Sequence, residues 1–367
     1  MLKLPLLQVL ILLSLAVPVS AATLASSNIP LDSPIYLYLE KLSGMGLVTS
    51  DVRGLKPFSR AEAARLTLEA EKRLIEQPST QPFAKDLIQQ IRDLLPREMS
   101  LQGNNDKPKL FDLNPVASSR LRYVYLDGIP RSYERQARDY GNDGVLGIGS
   151  GLRPRATVDV QHHGTEGTPL LENNEGTIYR RGTNLELRTA AEGYFSRYAV
   201  ALVEPQLLYS RERNDATLTL NRGYVKIGGG ALELEAGRDS NWLGLGYRGA
   251  ITLSNNPRNL DQIKISSPEP FQVGWLSWLG DLKYALLVSR LDRTVVNGQE
   301  RQPWYSALKL ICKPTSNLEI GFNMGKQVGG PGVNNSLGDM LRGLIGGTSA
   351  DNANNLAGIF RGHNTDY

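Results

Sequence analysis

Two hydrophobic periods divide the chain. Between residues 30 and 96, apolar side chains recur every three or four positions, which is typical of amphipathic helices. After Ser118 the apolar side chains alternate with polar ones, which is typical of strands that bury one face. The pattern therefore predicts a small helical region followed by a β-rich region.

Three helices are predicted in the first region. One begins at Ser33-Pro34, because serine is a favourable N-cap and proline a favourable first helical residue. The next begins at Ser59, where Glu62 completes a capping box. The third spans residues 82–95 and presents an apolar stripe on one face. Together these segments predict a small helical domain.

Alternating segments fill the second region, and we count roughly twelve, separated by Gly, Asn, Asp or Pro. Leu185 and Leu187, for example, face away from Glu186 and Arg188. A soluble sandwich and a lipid-embedded barrel both produce this alternation. The period alone therefore does not distinguish the two folds.

Three features favour a membrane barrel. Many segments approach the roughly 9–11 residues that a tilted transmembrane strand needs. None of them is apolar on both faces, and irregular backbone is not tolerated in lipid, so exported strands of this kind are expected to close into a barrel. Aromatic residues lie at strand ends, as in interfacial girdles; they are Tyr123, Tyr198, Tyr209, Tyr224, Trp275, Trp278 and Trp304.

Composition excludes several classes of protein. The 41 basic and 37 acidic residues give a net charge of only +4, without blocks of like charge, so nothing favours nucleic-acid binding. The single cysteine, Cys312, excludes an internal disulfide and a cysteine-based zinc cluster, and we expect it to be buried or lipid-facing. Only one apolar run approaches the roughly 20 residues of a spanning helix, which excludes a helical multispan protein.

That apolar run is predicted to be a secretory signal peptide at residues 1–22. Lys3 supplies the positive charge, residues 4–17 form the apolar core, and Val19-Ser20-Ala21 offers small residues for cleavage. An uncleaved anchor helix is the alternative, but the run is short and Pro18 ends it. We therefore expect the chain to leave the cytoplasm.

One segment of the β-rich region carries a resemblance to a known family. Residues 237–247 read GRDSNWLGLGY, and LSNN at 253–256 and IKISSPEPF at 263–271 follow. This order resembles the capsule assembly protein Wzi family of Gram-negative outer membranes. Further similar segments are IPLDS at 29–33, PFSRAEAA at 57–64, LEIGF at 318–322, Gly329-Gly330 and NNLAG at 354–358.

The resemblance implies a mainly β fold, a large antiparallel outer-membrane β-barrel of about eighteen strands with a small helical periplasmic domain. It implies a non-enzymatic, lectin-like protein that attaches capsular or extracellular polysaccharide to the cell, surrounded by outer-membrane lipid. We expect a monomer without cofactor, metal, catalytic residues or nucleic-acid partner. Fewer strands are visible here than in the family, and the end of the chain lacks a persuasive membrane strand, so we expect a C-terminally truncated, incomplete barrel.

The expected organisation follows from these patterns. The signal peptide covers residues 1–22 and the helical periplasmic domain residues 23–96, where Pro96 is predicted to end the third helix. Residues 97–117 are predicted to be a linker, and residues 118–367 to form the barrel domain.

Candidate polysaccharide contacts lie in two places. Trp242 stands near Arg238 and Asp239, and an indole that stacks on a sugar ring beside charged hydrogen-bonding groups would suit a glycan. The alternative is an Arg238–Asp239 ion pair inside the barrel, with Trp242 in the aromatic girdle. Asn255-Asn256 is mainly interpreted as a turn, because this dipeptide is typical of turns, and a glycan contact is the alternative interpretation.

Other polar groups are interpreted without catalysis. Glu233 and Glu235 point to one side of a strand, and we interpret them as lumenal carboxylates balanced by nearby arginines rather than as a glycosidase pair. His162 and His163 are adjacent, so on a strand they face opposite ways and do not chelate one metal together.

Two other functions are also compatible with the sequence. Residues 33–70 are similar to S-layer homology modules, which precede some barrels and bind wall polymers, so a porin is the alternative function. A soluble periplasmic β protein is a third interpretation. Conductance in a planar bilayer and fractionation with outer membranes would separate these functions from a lectin.

Overall fold

The computed structural model describes residues 24–76, 82–104, 106–127, 136–139, 152–155, 173–246, 249–296, 299–328 and 363–366. The predicted signal peptide at residues 1–22 and the pair His162-His163 lie outside the described residues.

The first described part of the chain is helical. It contains α1 (Pro34–Gly44), β1 (Leu55–Lys56), α2 (Arg60–Glu76), α3 (Pro82–Leu94) and α4 (Pro96–Gly103). Ser33 caps α1 by accepting the N–H of Ile35 on its Oγ at 3.4 Å, and Ser59 accepts the N–H of Glu62 at 3.1 Å. The predicted starts of the first two helices are therefore confirmed.

The apolar faces of the helices meet in one core. Leu42, Leu66 and Ile91 are completely buried there. Burying a side chain of this size gains about 1.5–3 kcal/mol, so a few such residues hold these short helices together. Within the described ranges, no helix is both long and apolar enough to cross a membrane.

Most described residues of the stretch predicted to be a linker, residues 97–117, belong to α4 or β2 instead. Pro96 does end α3, but it is also the first residue of α4, because a first helical position needs no N–H donor. The main sheet begins at Phe111 rather than Ser118. Its pairing shifts between Asn114 and Ser118, and this irregularity hides the alternation in the sequence.

Most of the remaining described chain is β-strand. The strands are β2 (Phe111–Leu126), β3 (Gln136–Asp139), β4 (Leu152–Arg155), β5 (Gly182–Phe195), β6 (Ala199–Ser210), β7 (Asp215–Gly229), β8 (Leu232–Asp239), β9 (Trp242–Leu243), β10 (Leu260–Ser266), β11 (Asp281–Arg290), β12 (Thr294–Val296), β13 (Gln299–Arg301), β14 (Trp304–Thr315), β15 (Leu318–Val328) and β16 (His363–Asp366). A short 3-10 helix spans Gly274–Leu279.

Ten strands form one antiparallel sheet in the order β16-β15-β14-β11-β10-β8-β7-β6-β5-β2. Within the described ranges its edge strands, β2 and β16, do not pair with each other, so the sheet is open there. The prediction of a mainly β chain with a large antiparallel sheet is confirmed.

The two faces of this sheet have the reverse of the usual polarity. On β8, Glu233 and Glu235 are buried, whereas Leu232 and Leu234 are 51% and 45% exposed. A soluble sandwich buries its apolar face, whereas buried charges beneath an exposed apolar face are typical of the wall of a membrane barrel. The same outward apolar face includes Leu185, Leu187, Val203, Leu207, Val225, Ile227, Ile263, Ile265, Ile320 and Phe322.

The helical region packs against the polar face of the sheet. β1 pairs with β9, with Lys56 opposite Trp242. The N–H of Asn28 donates to the hydroxyl of Tyr224 at 2.8 Å, and Lys226 Nζ donates to the carbonyl of Ser26 at 3.0 Å. Tyr224, predicted to belong to the aromatic girdle, points inward because its hydroxyl accepts this backbone donor.

Connections differ between the two ends of the sheet. Short turns at residues 196–198, 230–231 and 316–317 lie at one end, which we call the short-turn end, together with one longer connection at residues 267–280 that contains the 3-10 helix. Much longer connections at residues 127–181 and 240–259 lie at the other, the long-loop end. Outer-membrane barrels have short periplasmic turns and longer external loops, so the long-loop end is expected to face outward.

Candidate functional site

Two loops meet at the long-loop end, one leading into β5 and the other into β10. The N–H of Glu175 donates to the carbonyl of Asn255 at 2.8 Å, and that of Gly176 to the carbonyl of Asn256 at 3.1 Å. Asn255 Nδ2 returns a bond to the carbonyl of Asn173 at 3.0 Å. The Asn255-Asn256 segment therefore holds the loop that leads into β5 against the loop that leads into β10.

Gly176 allows this close approach. Its φ is +71°, and a Cβ there would lie 2.6 Å from the backbone nitrogen of Arg258. A residue with a side chain would be strained and would also separate the loops. The contact between the two loops thus depends on glycine at this position.

Buried charges and amides lie beneath the two loops. The Glu175 carboxylate contacts the Arg188 guanidinium and accepts a bond from Asn221 Nδ2 at 3.0 Å. Asn221 Nδ2 also donates to Glu204 at 2.6 Å, and Asn259 Nδ2 donates to the carbonyl of Asn221 at 3.0 Å. These bonds tie the loops to the inner faces of β5, β6 and β7, so the loops are fixed before any ligand binds.

Two amide oxygens of this cluster retain unused acceptor capacity. The Oδ1 atoms of Asn255 and Asn259 are buried, and neither has a hydrogen-bond partner within the described part of the chain. Buried polar atoms are normally satisfied. Because both oxygens are buried, a sugar that binds on the surface of the two loops does not reach them.

The predicted grouping of Arg238 with Asp239 does not occur. Arg238 forms a two-pronged pair with Asp261, with Nε 2.7 Å from Oδ1 and Nη2 2.6 Å from Oδ2. Asp239 is buried on the inner face, where it accepts Asn28 Nδ2 at 2.6 Å. Successive residues of a strand face opposite sides, so the two side chains have separate partners and form no ion pair.

Trp242 is also placed differently from both interpretations. Its side chain is 5% exposed, and its Nε1 donates to the carbonyl of Gly246 at 3.1 Å. Pairing of β9 with β1 holds the indole against the helical region. It therefore lies neither in an interfacial girdle nor on an open surface where a sugar ring would stack.

Partly exposed arginines extend the cluster onto β2. The side chains of Arg120 and Arg122 are each 33% exposed, and both lie near the carboxylate of Asp32, Arg122 at 3.8 Å. Arg122 Nη1 also donates to the hydroxyl of Tyr179 at 3.1 Å, and Arg120 lies opposite Arg188 in the register. The alternation of these arginines with apolar residues was the sequence signal for their inward placement.

Glu233 and Glu235 lie on the inner face, as predicted, but lysines balance them instead of arginines. Lys226 Nζ lies 2.9 Å from Glu233, and Lys264 Nζ lies 3.0 Å from Glu235. Carboxylates neutralised in this way are poorly placed for acid–base work. Across the described ranges, no cluster of three or more His, Cys, Asp or Glu side chains could hold a metal ion.

The chain is similar to known proteins both in sequence and in fold. A family model described as capsule assembly protein Wzi matches residues 153–360. A solved structure of Wzi from Escherichia coli, described as an outer-membrane protein involved in group 1 capsule assembly and as a carbohydrate-binding β-barrel, is similar in fold with a TM-score of 0.51 and 16% identity. The similarity covers 87% of this chain and 56% of that one. No curated protein matches the chain.

Proposed function

The chain belongs to the capsule assembly protein Wzi family, and from this premise we propose that it is a non-enzymatic, lectin-like protein that attaches capsular or other surface polysaccharide to the cell. The observation that carries the proposal is the preorganised cluster of amides and arginines at the long-loop end, on the inner face of a sheet whose outer face is apolar.

Outer-membrane location is part of the proposal. The exposed leucines and isoleucines of the sheet suit hydrocarbon, and the buried charges suit a wet interior. The fold similarity to an outer-membrane protein supports the same location. We propose that residues 1–22 are a signal peptide, that residues 23–96 form a helical domain that reaches the barrel from the periplasmic side and packs against its inner face, and that the protein acts as a monomer.

The chemistry of the cluster favours an acidic polymer. Arg120 and Arg122 are partly exposed and share the single carboxylate of Asp32, so their remaining N–H donors can bind a sugar carboxylate in a two-pronged geometry. Because hydrogen bonds already fix the loops, little conformational entropy is lost on binding.

Retention of polymer by cells tests the proposal. An encapsulated strain that lacks the gene should release polysaccharide into the medium, and the full chain should restore cell-bound polymer. Arg122→Ala should lower retention, because it removes a partly exposed cation, whereas Arg213→Ala, on an exposed turn outside the cluster, should not.

The same assay can contradict the proposal. If deletion leaves cell-bound and released polymer unchanged, the protein does not attach polysaccharide. If Arg122→Ala and Arg213→Ala both retain as much polymer as the unchanged chain, while a purified acidic polymer still binds the protein, the polysaccharide does not contact Arg122 on β2.

A further inference from the structure

An apolar groove lies on the outer face at the short-turn end. Its volume is about 310 Å³, within the range of small-ligand pockets. Its wall comes from the 3-10 helix and the segment before it, and its floor from β11, β14 and β15. Its lining includes Trp275, Leu276, Leu282, Leu310, Cys312 and Phe322.

Two cross-strand rows form the floor. Leu282 lies opposite Cys312, and Cys312 opposite Ile320. In the next row, Leu310 lies between Tyr284 and Phe322. Ile320 and Phe322 are 54% and 48% exposed, so the groove opens directly onto the apolar outer face of the sheet.

The 3-10 helix supplies two unusually exposed tryptophans. Trp275 is 74% exposed and Trp278 is 70% exposed. Indoles favour the boundary between hydrocarbon and water, because their ring is apolar and their N–H seeks a polar partner. Their place beside the ends of β10 and β11 marks that boundary on the short-turn side.

The lysine that borders the groove is turned away from it. Lys283 Nζ lies 3.9 Å from the Glu62 carboxylate and 5.0 Å from the centre of the Phe58 ring, both in the helical region. The charge therefore belongs to the inner face, and the groove offers apolar contacts. A long hydrocarbon chain matches such a surface better than a polar ligand does.

We propose that this groove binds one acyl chain of a phospholipid from the leaflet at the short-turn end, with Trp275 and Trp278 at the level of its headgroup. The continuity of the groove with the lipid-facing surface identifies the occupant as a membrane lipid. The inference rests on the proposed insertion of the sheet in a membrane and is independent of polysaccharide binding.

Native mass spectrometry of the full chain with phosphatidylethanolamine tests the proposal. The unchanged protein should retain one lipid after mild removal of detergent. Cys312→Phe adds a ring to the groove floor and should reduce this retention about tenfold. Ala216→Phe adds the same ring to the outer face of β7, opposite Tyr209 and away from the groove, and should leave retention unchanged.

A fluorescence measurement keeps the proposal testable if Cys312→Phe does not fold. In vesicles of phosphatidylcholine brominated near the headgroup, the emission of the full chain should be quenched. Trp275→Phe/Trp278→Phe, which leaves Trp242 and Trp304, should lose most of the quenchable emission.

The results separate this inference from the proposed function. If both phenylalanine variants retain the same amount of lipid, the lipid surrounds the protein without occupying the groove, and the proposal is wrong. A second copy of the chain bound in place of lipid, or unquenched tryptophans in a chain that floats with vesicles, would also overturn it. Failure of the polysaccharide-retention assay would contradict the proposed function but not the proposal that the groove binds an acyl chain.

Discussion

Asp51 and Lys313 form a buried ion pair between the helical region and the sheet. Lys313 Nζ lies 2.8 Å from Asp51 Oδ1, and their side chains are 7% and 4% exposed. Asp51 follows α1, whereas Lys313 lies near the end of β14. The pair thus links two parts of the chain that are 262 positions apart.

We expect Lys313→Met to loosen the helical region from the sheet. Burial raises the pKa of Asp51, but bonds from Lys313 and Arg53 outweigh it and hold this pKa below its ordinary value. Removing the lysine leaves Arg53 as the remaining charged partner of this buried carboxylate, so the loss should be smaller than the about 3–5 kcal/mol that an uncompensated buried charge costs. Urea unfolding of the protein in detergent should show an earlier midpoint.

The double variant Asp51→Asn/Lys313→Met is the control for this pair. It removes both charges, so it should recover most of the lost stability. If the single and double variants unfold at the same urea concentration, the carboxylate is not what destabilises the single variant.

Glu269 should make stability depend on pH. Burial and the nearby Glu62 carboxylate raise the pKa of Glu269 to about 7 from an ordinary 4.5, although Arg65 and Lys283 act in the opposite direction. The folded protein therefore holds this proton more tightly than the unfolded chain does. Its stabilising effect is complete below pH 4.5 and is lost as the pH rises towards 7.

The variant Glu269→Gln should flatten that part of the stability curve. Urea midpoints measured between pH 5 and pH 8 should fall with pH in the unchanged protein and vary less in the variant, roughly as a single titrating group predicts. An identical pH dependence in both proteins would contradict the assigned role of Glu269.

Local features were predictable because their causes are local. Ser33 and Ser59 cap helices through contacts within three residues, and the structure confirms both. The sequence predicts that Pro96 ends a helix, but a proline also suits a first helical position, and Pro96 begins α4. The alternation around Leu232 predicted which side chains face inward, because a strand has a period of two.

Partners of the site residues were not predictable from such patterns. Asp239 bonds Asn28, which is 211 positions away, and Arg238 pairs with Asp261 across a strand register. Trp242 is buried because β9 pairs with β1. Such contacts depend on how the helical region packs onto the sheet, and no local period encodes that packing.

We expect the full chain to form no persistent channel in a planar bilayer. Asn28, Lys226 and Lys313 join the helical region and the residues before it to the polar face, where a porin would have water. A porin reconstituted in parallel provides the positive control. Stable conductance steps from the full chain would favour the porin interpretation and contradict the packing described here.

Gly237 is the position in the family-like segment where we expect a single methyl group to matter most. Its φ is +136°, and a Cβ would lie 2.3 Å from the carbonyl oxygen of Gly223 and 2.6 Å from the Cα of Tyr224. Backbone strain of this kind costs about 1–3 kcal/mol, and the clash adds to it. Gly237→Ala should therefore lower the urea midpoint clearly, whereas Gly249→Ala, with no atom within 4 Å of the new Cβ, should not. Equal midpoints for the two variants would show that β7 and β8 can move apart at Gly237 without loss of stability. The close approach of the two strands at this position would then not contribute to stability.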